Sequence, residues 1–198
     1  MNQIHDIFED EEQTGKLRIM RHALRLFAEK GLSATSIRDI AAAAGLSNPA
    51  LYKHFKSKDE LAQTLFQQAY QSHVSHLVKA VQKEEGFTHK FKAYLRSYLQ
   101  AYDAQPHAMM FATDVLPTLW PLMPDDVKRH TALTELRAIL LLGQSEGHVS
   151  KNEDLNLQMA LVVGTLVQLS RQIFQGVLKG LALDQLEGTE RLLRAALK

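Results

Sequence analysis

The chain contains no cysteine. That absence excludes a disulfide framework, thiolate nucleophiles and cysteine-ligated zinc, and it fits a reducing compartment. No run of residues alternates apolar and polar with the period of a strand, and no internal repeat recurs along the chain. The first twelve residues hold no Lys or Arg and no long apolar run, so they do not read as a signal peptide. The longest apolar stretch, Met159 to Val167, is interrupted by Gly164 and Thr165 and falls short of the roughly 20 residues that cross a bilayer. A soluble, cytoplasmic protein is the expectation. A large net charge is missing too, the formal total being +1.

Charge is present locally. From Lys16 to Lys58 there are nine Lys or Arg against two acids, Glu29 and Asp39, an excess of seven positive charges. Residues 1–12 carry five acids and no base, and residues 59–198 carry 14 bases against 15 acids. A basic island in a nearly neutral chain reads as a confined nucleic-acid footprint. Residues 1–15 read as a flexible acidic tail, either a plain solvated extension or a screen over that island.

The island has helical periodicity. Ile19, Ala23, Leu26 and Phe27 recur at i, i+4, i+7 and i+8, while Arg18, Arg21 and Arg25 take the far side. Gly31 stops this helix. Thr35 or Ser36 caps a second, with Asp39 three residues beyond Ser36 as a capping box places it and Ile37, Ile40, Ala41 and Ala44 as its apolar stripe. Gly45 turns the chain. Ser47 caps a third helix with Pro49 in its first turn. Leu51 and Phe55 point inward there, leaving Pro49, Ala50, Tyr52, Lys53 and Lys56 outward. Ser57 and Glu60 form another capping box, opening a long helix to about Lys83.

Helical patterning continues to the C-terminus. Phe91, Tyr94, Leu95, Tyr98 and Tyr102 share one face before Pro106. His107 to Val115 forms a short segment before a proline-rich stretch, Pro117 to Pro124. Asp125 to Glu146 reads as one helix, Glu153 to Leu178 as a long one, and 184–197 as an amphipathic closing helix. The fold class expected is all-α.

A short helix, a glycine turn and a second short helix is the helix-turn-helix arrangement, whose second helix enters the major groove. Lys53 is the candidate for a base edge, since Lys and Arg favour guanine O6 and N7. Tyr52 suits a thymine methyl or a phosphate. His54, Lys56 and Lys58 suit phosphates, which set register without carrying sequence information. Thr35 and Ser36 stand at a helix start, where free amides and the aligned dipole attract an anion. Arg38, Ser47, Asn48 and Ala50 complete the candidate DNA-facing set. A packing role is the plain alternative for this constellation, and for Phe55 it is the expected one.

The run LRLFAEKGLSATSIRDIAAAAGLSNPALYKHFKSKDEL resembles the N-terminal domain of the TetR family of bacterial transcriptional repressors. The resemblance rests on Phe27-Ala-x-Lys-Gly31, Ile37-x-x-Ile40-Ala41 and Leu51-Tyr52-x-His54-Phe55-x-x-Lys58, and covers about the first third of the chain. It implies a three-helix DNA-binding head at 16–62 and a helical effector-binding and dimerisation domain at 63–198. It further implies a homodimer on a palindromic operator and release by a small-molecule effector that swings the helix starting at Ser57. Its departures from the family pattern are a longer acidic tail and the lack of a polar side chain at Pro49 and Ala50. An activator, or a regulator controlled by a protein partner, needs the same head and stays open.

Tyr94, Tyr98, Met109, Met110, Phe111, Trp120, Met123 and Gln144 are candidates to line an apolar effector cavity with a few polar groups. Leu157, Leu161, Gly164, Val167, Gln168, Arg171 and Leu192 are candidates for the dimer seam. Gly143-Gln-Ser145-Glu-Gly147 matches the G-x-S-x-G nucleophile elbow, making a serine hydrolase using Ser145 a remote alternative. That chemistry needs a strand before the serine and a helix directly after it, so a helix C-terminus is the preferred reading and no enzyme is expected. His73 and His76, at i and i+3, lack the carboxylate partners of a helical metal site. No metal and no cofactor are expected. Gly176-x-x-x-Gly180 reads as a helix end or a close packing contact.

Overall fold

The computed structural model describes residues 15–198. The expectation of an acidic tail falls outside the described residues except at Gly15, which instead begins the first helix. Among the described residues there are ten α-helices and two 3-10 turns and no strand, the all-α class expected from periodicity. The chain divides into two compact units, Met1–Ser72 with Gln105–Met123, and His73–Ala104 with Pro124–Lys198.

In the first unit, α1 (Gly15–Lys30) buries Ile19, Met20, Ala23, Leu24, Leu26 and Phe27, the face its periodicity marks. Helix α2 (Ile37–Ala43) is followed by α3 (Asn48–Tyr52) and by α4 (Lys58–Gln82), whose early turns belong to this unit and whose later turns belong to the second. Full burial of Ile40, Leu51, Leu61, Leu65 and Phe66 stabilises this small core by about 1.5–3 kcal/mol per side chain. Beyond α5 (Gly86–Ala104), helix α6 (Pro106–Leu119) returns to the first unit and stacks Phe111 on Phe27, ring centroids 5.4 Å apart. It runs through Pro117, where a short segment ending at Val115 was expected. Pro117 lies in the last turn, so the missing N–H forfeits a single intrahelical bond. A 3-10 turn, Trp120–Leu122, follows.

Helix α5 is the centre of the second unit, burying Phe87, Phe91, Ala93, Tyr94, Leu95, Ser97, Leu99, Ala101 and Tyr102. The helix expected over 125–146 is two, α7 (Asp125–Arg129) and α8 (Ala132–Ser145). Thr131 breaks it by preferring a cap: its hydroxyl accepts the Thr134 N–H at 3.0 Å while the Thr134 hydroxyl accepts the Thr131 N–H at 2.9 Å. Helix α9 (Leu155–Phe174) starts at the Asp154 cap and stops before Gly176, and α10 (Leu186–Ala196) closes the chain. The Asp103 carboxylate accepts the Ala182 and Leu183 N–H groups at 2.7 and 2.9 Å, fixing the 3-10 turn Ala182–Gln185 that leads into α10.

Helix α9 corrects one expectation. By length and composition it is long and apolar enough to cross a membrane, with only 22% of the relevant stretch buried. The uninterrupted apolar run is short, yet the helix extends it through scattered Gln, Ser and Thr. Its buried stripe is Gln158, Val162, Leu166 and Ser170. The opposite face is open, with Leu157 66% and Leu161 40% exposed.

Candidate nucleic-acid interface

The head is assembled from caps. Ser36 precedes α2, its hydroxyl accepting the Asp39 N–H at 3.2 Å, while the Asp39 carboxylate accepts the Ser36 N–H at 2.9 Å. The same carboxylate takes the Ser36 O–H at 2.6 Å, and these bonds from Ser36 hold the Asp39 carboxyl below the ordinary carboxylate range. Helix α2 ends in a Schellman motif: the Gly45 N–H reaches the Ala42 carbonyl and the Leu46 N–H reaches that of Ala41, at 3.1 and 2.9 Å. Gly45 has φ +66°, a conformation in which a Cβ is strained. That turn aims the chain into α3. There the Ser47 hydroxyl accepts the Ala50 N–H at 3.3 Å, and Pro49 occupies the first turn.

Helix α3 then presents two different faces. Leu51 and Phe55 are buried, at 0% and 3% exposure, while Tyr52 is 51% exposed. Lys53, His54 and Lys56 are exposed beside Tyr52, as are Ser36, Arg38 and Ser47, with Asn48 and Ala50 half-buried. Ten of the eleven candidate DNA residues therefore reach the surface at least in part.

Thr35 is the exception and is corrected. It is 1% exposed, and its hydroxyl donates to the Gly31 carbonyl at 2.9 Å and lies 3.3 Å from that of Leu26. A β-branched hydroxyl turned inward closes the loop between α1 and α2 and is not itself offered to a phosphate. Lys58 also has a role the sequence did not reveal. Its ammonium donates to the Leu32 and Thr35 carbonyls at 2.8 and 2.9 Å, tying the start of α4 to that same loop. The capping box expected at Ser57 is offset by one: Ser57 accepts the Glu60 N–H at 3.0 Å, but the Glu60 carboxylate takes the Lys56 N–H at 2.5 Å.

Sequence reasoning missed the contacts made by the start of α1. Lys16 Nζ stands 5.7 Å above the Phe55 ring, a cation–π arrangement. A Cβ at Gly15 would lie 3.3 Å from His54 Nε2. Nothing in the periodicity of either helix signals a contact across so many intervening residues.

The effector candidates divide between the units. Met109, Met110, Phe111, Trp120 and Met123 lie in the first, Tyr94, Tyr98 and Gln144 in the second. Phe111 is accounted for by its stacking on Phe27, and Trp120 meets the Tyr70 ring edge-on at 5.2 Å. Gln144 Nε2 donates to the Ser150 carbonyl at 3.0 Å and reaches Gln158 Oε1 at 3.3 Å, so its amide braces a loop. Tyr98 faces His73 edge-on at 5.6 Å. His73 Nδ1 is buried without a hydrogen-bond partner. Burial, and secondarily the positive charge of His76, push that imidazole down to about 4. A groove of about 470 Å³ between α5 and α10 is polar instead, lined by Lys92, Glu187, Glu190, Arg191 and Arg194. Lys92 bridges Glu187 and Glu190 there at 2.6 and 3.2 Å.

Of the seam candidates, Leu157, Leu161, Gly164, Gln168 and Leu192 are exposed and Val167 and Arg171 half-buried. Ser145 closes α8 with its hydroxyl donating to the Leu142 carbonyl at 2.7 Å, and Gly147 adopts φ +78° just beyond. That is a helix C-terminus with no strand before it, and the preferred reading of the glycine–serine pattern holds. Among the described residues no cluster of three or more His, Asp or Glu is placed to hold a metal ion.

The sequence pattern described as "Bacterial regulatory proteins, tetR family" matches residues 19–65. The transcriptional regulator TtgR of Pseudomonas putida is 36% identical over 76 residues, 38% of this chain and 36% of its own length. The transcriptional activator FasR of Mycolicibacterium smegmatis is 33% identical over 110 residues, 52% of this chain and 48% of its own. The chain thus spans between about a third and a half of these relatives. Solved structures align along nearly the whole chain. The ketosteroid transcriptional regulator KstR2 of Mycobacterium tuberculosis superposes with a TM-score of 0.81 at 18% identity, covering 95% of this chain and 97% of its own. The TetR family regulator PfmR of Thermus thermophilus gives 0.75 at 27% identity, covering 91% and 99%.

Proposed function

We propose that this chain, whose residues 19–65 match the pattern of the TetR family of bacterial regulatory proteins, functions as a TetR-type homodimeric, effector-responsive DNA-binding repressor. The observation that carries it is the two-faced α3, with Leu51 and Phe55 locked in the core and Tyr52 half exposed beside Lys53. A side chain so placed on a basic head, at the second helix of a capped helix-turn-helix, is positioned for base edges. Lys53 reads a base. His54, Lys56 and Arg38 neutralise phosphates, and Ser36, Ser47 and Asn48 add backbone contacts. The DNA-binding domain is 16–62 and the remainder, 63–198, carries the effector and dimer functions.

The open face of α9 supports the dimer. Leu157 and Leu161 of α9 are exposed, as is Leu192 of α10 at 68%, apolar side chains that a monomer leaves in water. Around Gly164 nothing lies within 4 Å of an added Cβ, which leaves room for a second helix to pass closely. A dimer seam on this face accounts for the apolar character of α9 without a membrane, in keeping with a cytoplasmic location. Met109, Met110, Trp120 and Met123 in the first unit, and separately Tyr94 and Tyr98 in the second, remain the effector candidates. A solved structure similar in fold, FadR from Bacillus subtilis, is described in complex with stearoyl-CoA, and this supports an effector with an apolar chain here.

The test is fluorescence anisotropy with duplexes from the region upstream of the gene, across a salt series. Attachment that weakens steeply with salt and is strongest on a palindromic fragment is expected. Absence of salt-sensitive binding to any duplex refutes the reading. FasR, an activator, favours a second reading. A reporter with and without the protein separates the two by the sign of the change.

A further inference from the structure

Five of the nine basic residues between Lys16 and Lys58 belong to α1: Lys16, Arg18, Arg21, Arg25 and Lys30. None of the five is among the DNA-facing residues assigned above. The core does not use their charges either. Helix α1 buries Ile19, Met20, Ala23, Leu24, Leu26 and Phe27, whereas Arg18, Arg21 and Arg25 are exposed. Their spacing of i, i+3 and i+7 puts the three arginines on one stripe, opposite the buried face.

That stripe starts beside the reading helix. A Cβ at Gly15 would lie 3.3 Å from His54 Nε2 and 3.8 Å from Leu46 Cδ1, and Lys16 Nζ stands over the Phe55 ring. Arg18 comes three residues after Gly15, about 60° around the helix at roughly 3.6 residues per turn. Positive charge therefore continues from Lys53 and Lys56 onto the outer face of α1. The arginines act on a common neighbour: His22, half-buried among them, is held below the ordinary imidazole value by burial and then by Arg25, Arg21 and Arg18. No acid occurs in α1 before Glu29, and the Glu29 carboxylate lies 3.5 Å from His107 Nε2. Among the described residues neither Arg18 nor Arg25 is in an ion pair. Like charges at such spacings repel one another along a helix face, and a polyanion relieves that repulsion.

We propose that Arg18, Arg21 and Arg25 form a second phosphate-binding track, gripping the DNA backbone beside the groove that α3 enters. The proposal rests on the reading of this head as a DNA-binding surface. Arg18 and Arg25 are about 10 Å apart along the axis of α1 at 1.5 Å per residue, a rise over which one DNA strand carries about three phosphates. A guanidinium suits this contact, because its planar fork donates to phosphate oxygens in pairs. Such contacts raise affinity on every sequence and leave base choice to Lys53.

The test compares wild type, R18Q/R25Q and R18K/R25K by anisotropy, on a random-sequence duplex and on the upstream fragment, across a salt series. The glutamine variant is expected to bind both duplexes at least about tenfold more weakly at low salt, its slope of log affinity against log salt shallower by about 1.8 per protomer engaged. The lysine variant is expected to recover most of that slope, since the charge is kept. Unchanged slope and affinity in the glutamine variant overturn the track while leaving wild-type DNA binding intact. A loss confined to the upstream fragment also overturns it, because a phosphate contact is blind to sequence. So does an equal loss in the lysine variant, which marks a structural effect. If wild type binds no duplex, the DNA reading falls and the track with it.

Discussion

Burial of His73 is expected to make the fold sensitive to acid. Its Nδ1 is buried without a partner, the ring meets Tyr98 edge-on, and burial pushes the imidazole from 6.5 down to about 4. Folded, the ring stays neutral through the range in which the unfolded chain takes up a proton. The unfolded state thus binds more protons between the two values, and stability rises with pH there. The contribution is fully present above 6.5 and is lost as pH falls toward 4. The gap corresponds to roughly 3 kcal/mol in total at 1.36 kcal/mol per unit, of which about 2 kcal/mol is lost between pH 7.5 and 5.0. His73→Phe retains an aromatic ring and removes the titration. Urea unfolding at both pH values, on wild type and variant, is the assay. The variant is expected to be at least as stable at pH 7.5, because an unpaired buried nitrogen has been removed, and to fall by about 2 kcal/mol less on acidification. Parallel losses in the two proteins refute the reasoning.

Other outcomes follow from single side chains. Lys53→Ala should weaken operator binding by about 1–3 kcal/mol and relax preference at one base position, which a panel of single-base operator variants reads out. Lys58→Met should lower stability by about 1–3 kcal/mol because the Leu32 and Thr35 carbonyls lose their donor; an unchanged melting temperature contradicts the tie. Gly143→Ala should destabilise by about 1–3 kcal/mol, since a Cβ there sits 2.6 Å from both the Phe87 ring and Val149, measured by thermal unfolding. Leu161→Asp should shift the sedimentation coefficient from dimer to monomer, and a monomeric wild type removes the dimer from the proposal.

The head was largely legible because its signals are local. Ser36 with Asp39, Gly45 and Ser47 each act within four residues, and sequence adjacency exposes such partners directly. The long-range bonds of Thr35 and Lys58 escaped notice because their partners are distant in sequence: the hydroxyl reaches Leu26 and the ammonium bonds Leu32, contacts no period encodes. The glycine–serine pattern was resolved correctly, and its origin is now plain. Gly143 is small because Phe87 and Val149 press on it, and Gly147 because it ends a helix, two unrelated demands that happen to be four residues apart. The split between α7 and α8 escaped detection since Thr131 signals a cap only in hindsight. Cavity-lining residues remain the least legible, as an apolar side chain at helical spacing looks the same whether it meets a neighbour, as Phe111 meets Phe27, or a ligand.

The ties inside the head have a practical bearing on any titration with electrolyte. Thr35 and Lys58 both end on peptide oxygens, and the cap at Ser36 is closed within four residues, so none is a long-range pair of opposite charges for dissolved ions to prise apart. Raising ionic strength should strip the duplex away while the three-helix scaffold keeps its shape. The slope of log affinity against log salt then reports ion exchange at the DNA-facing surface and not unfolding of the head.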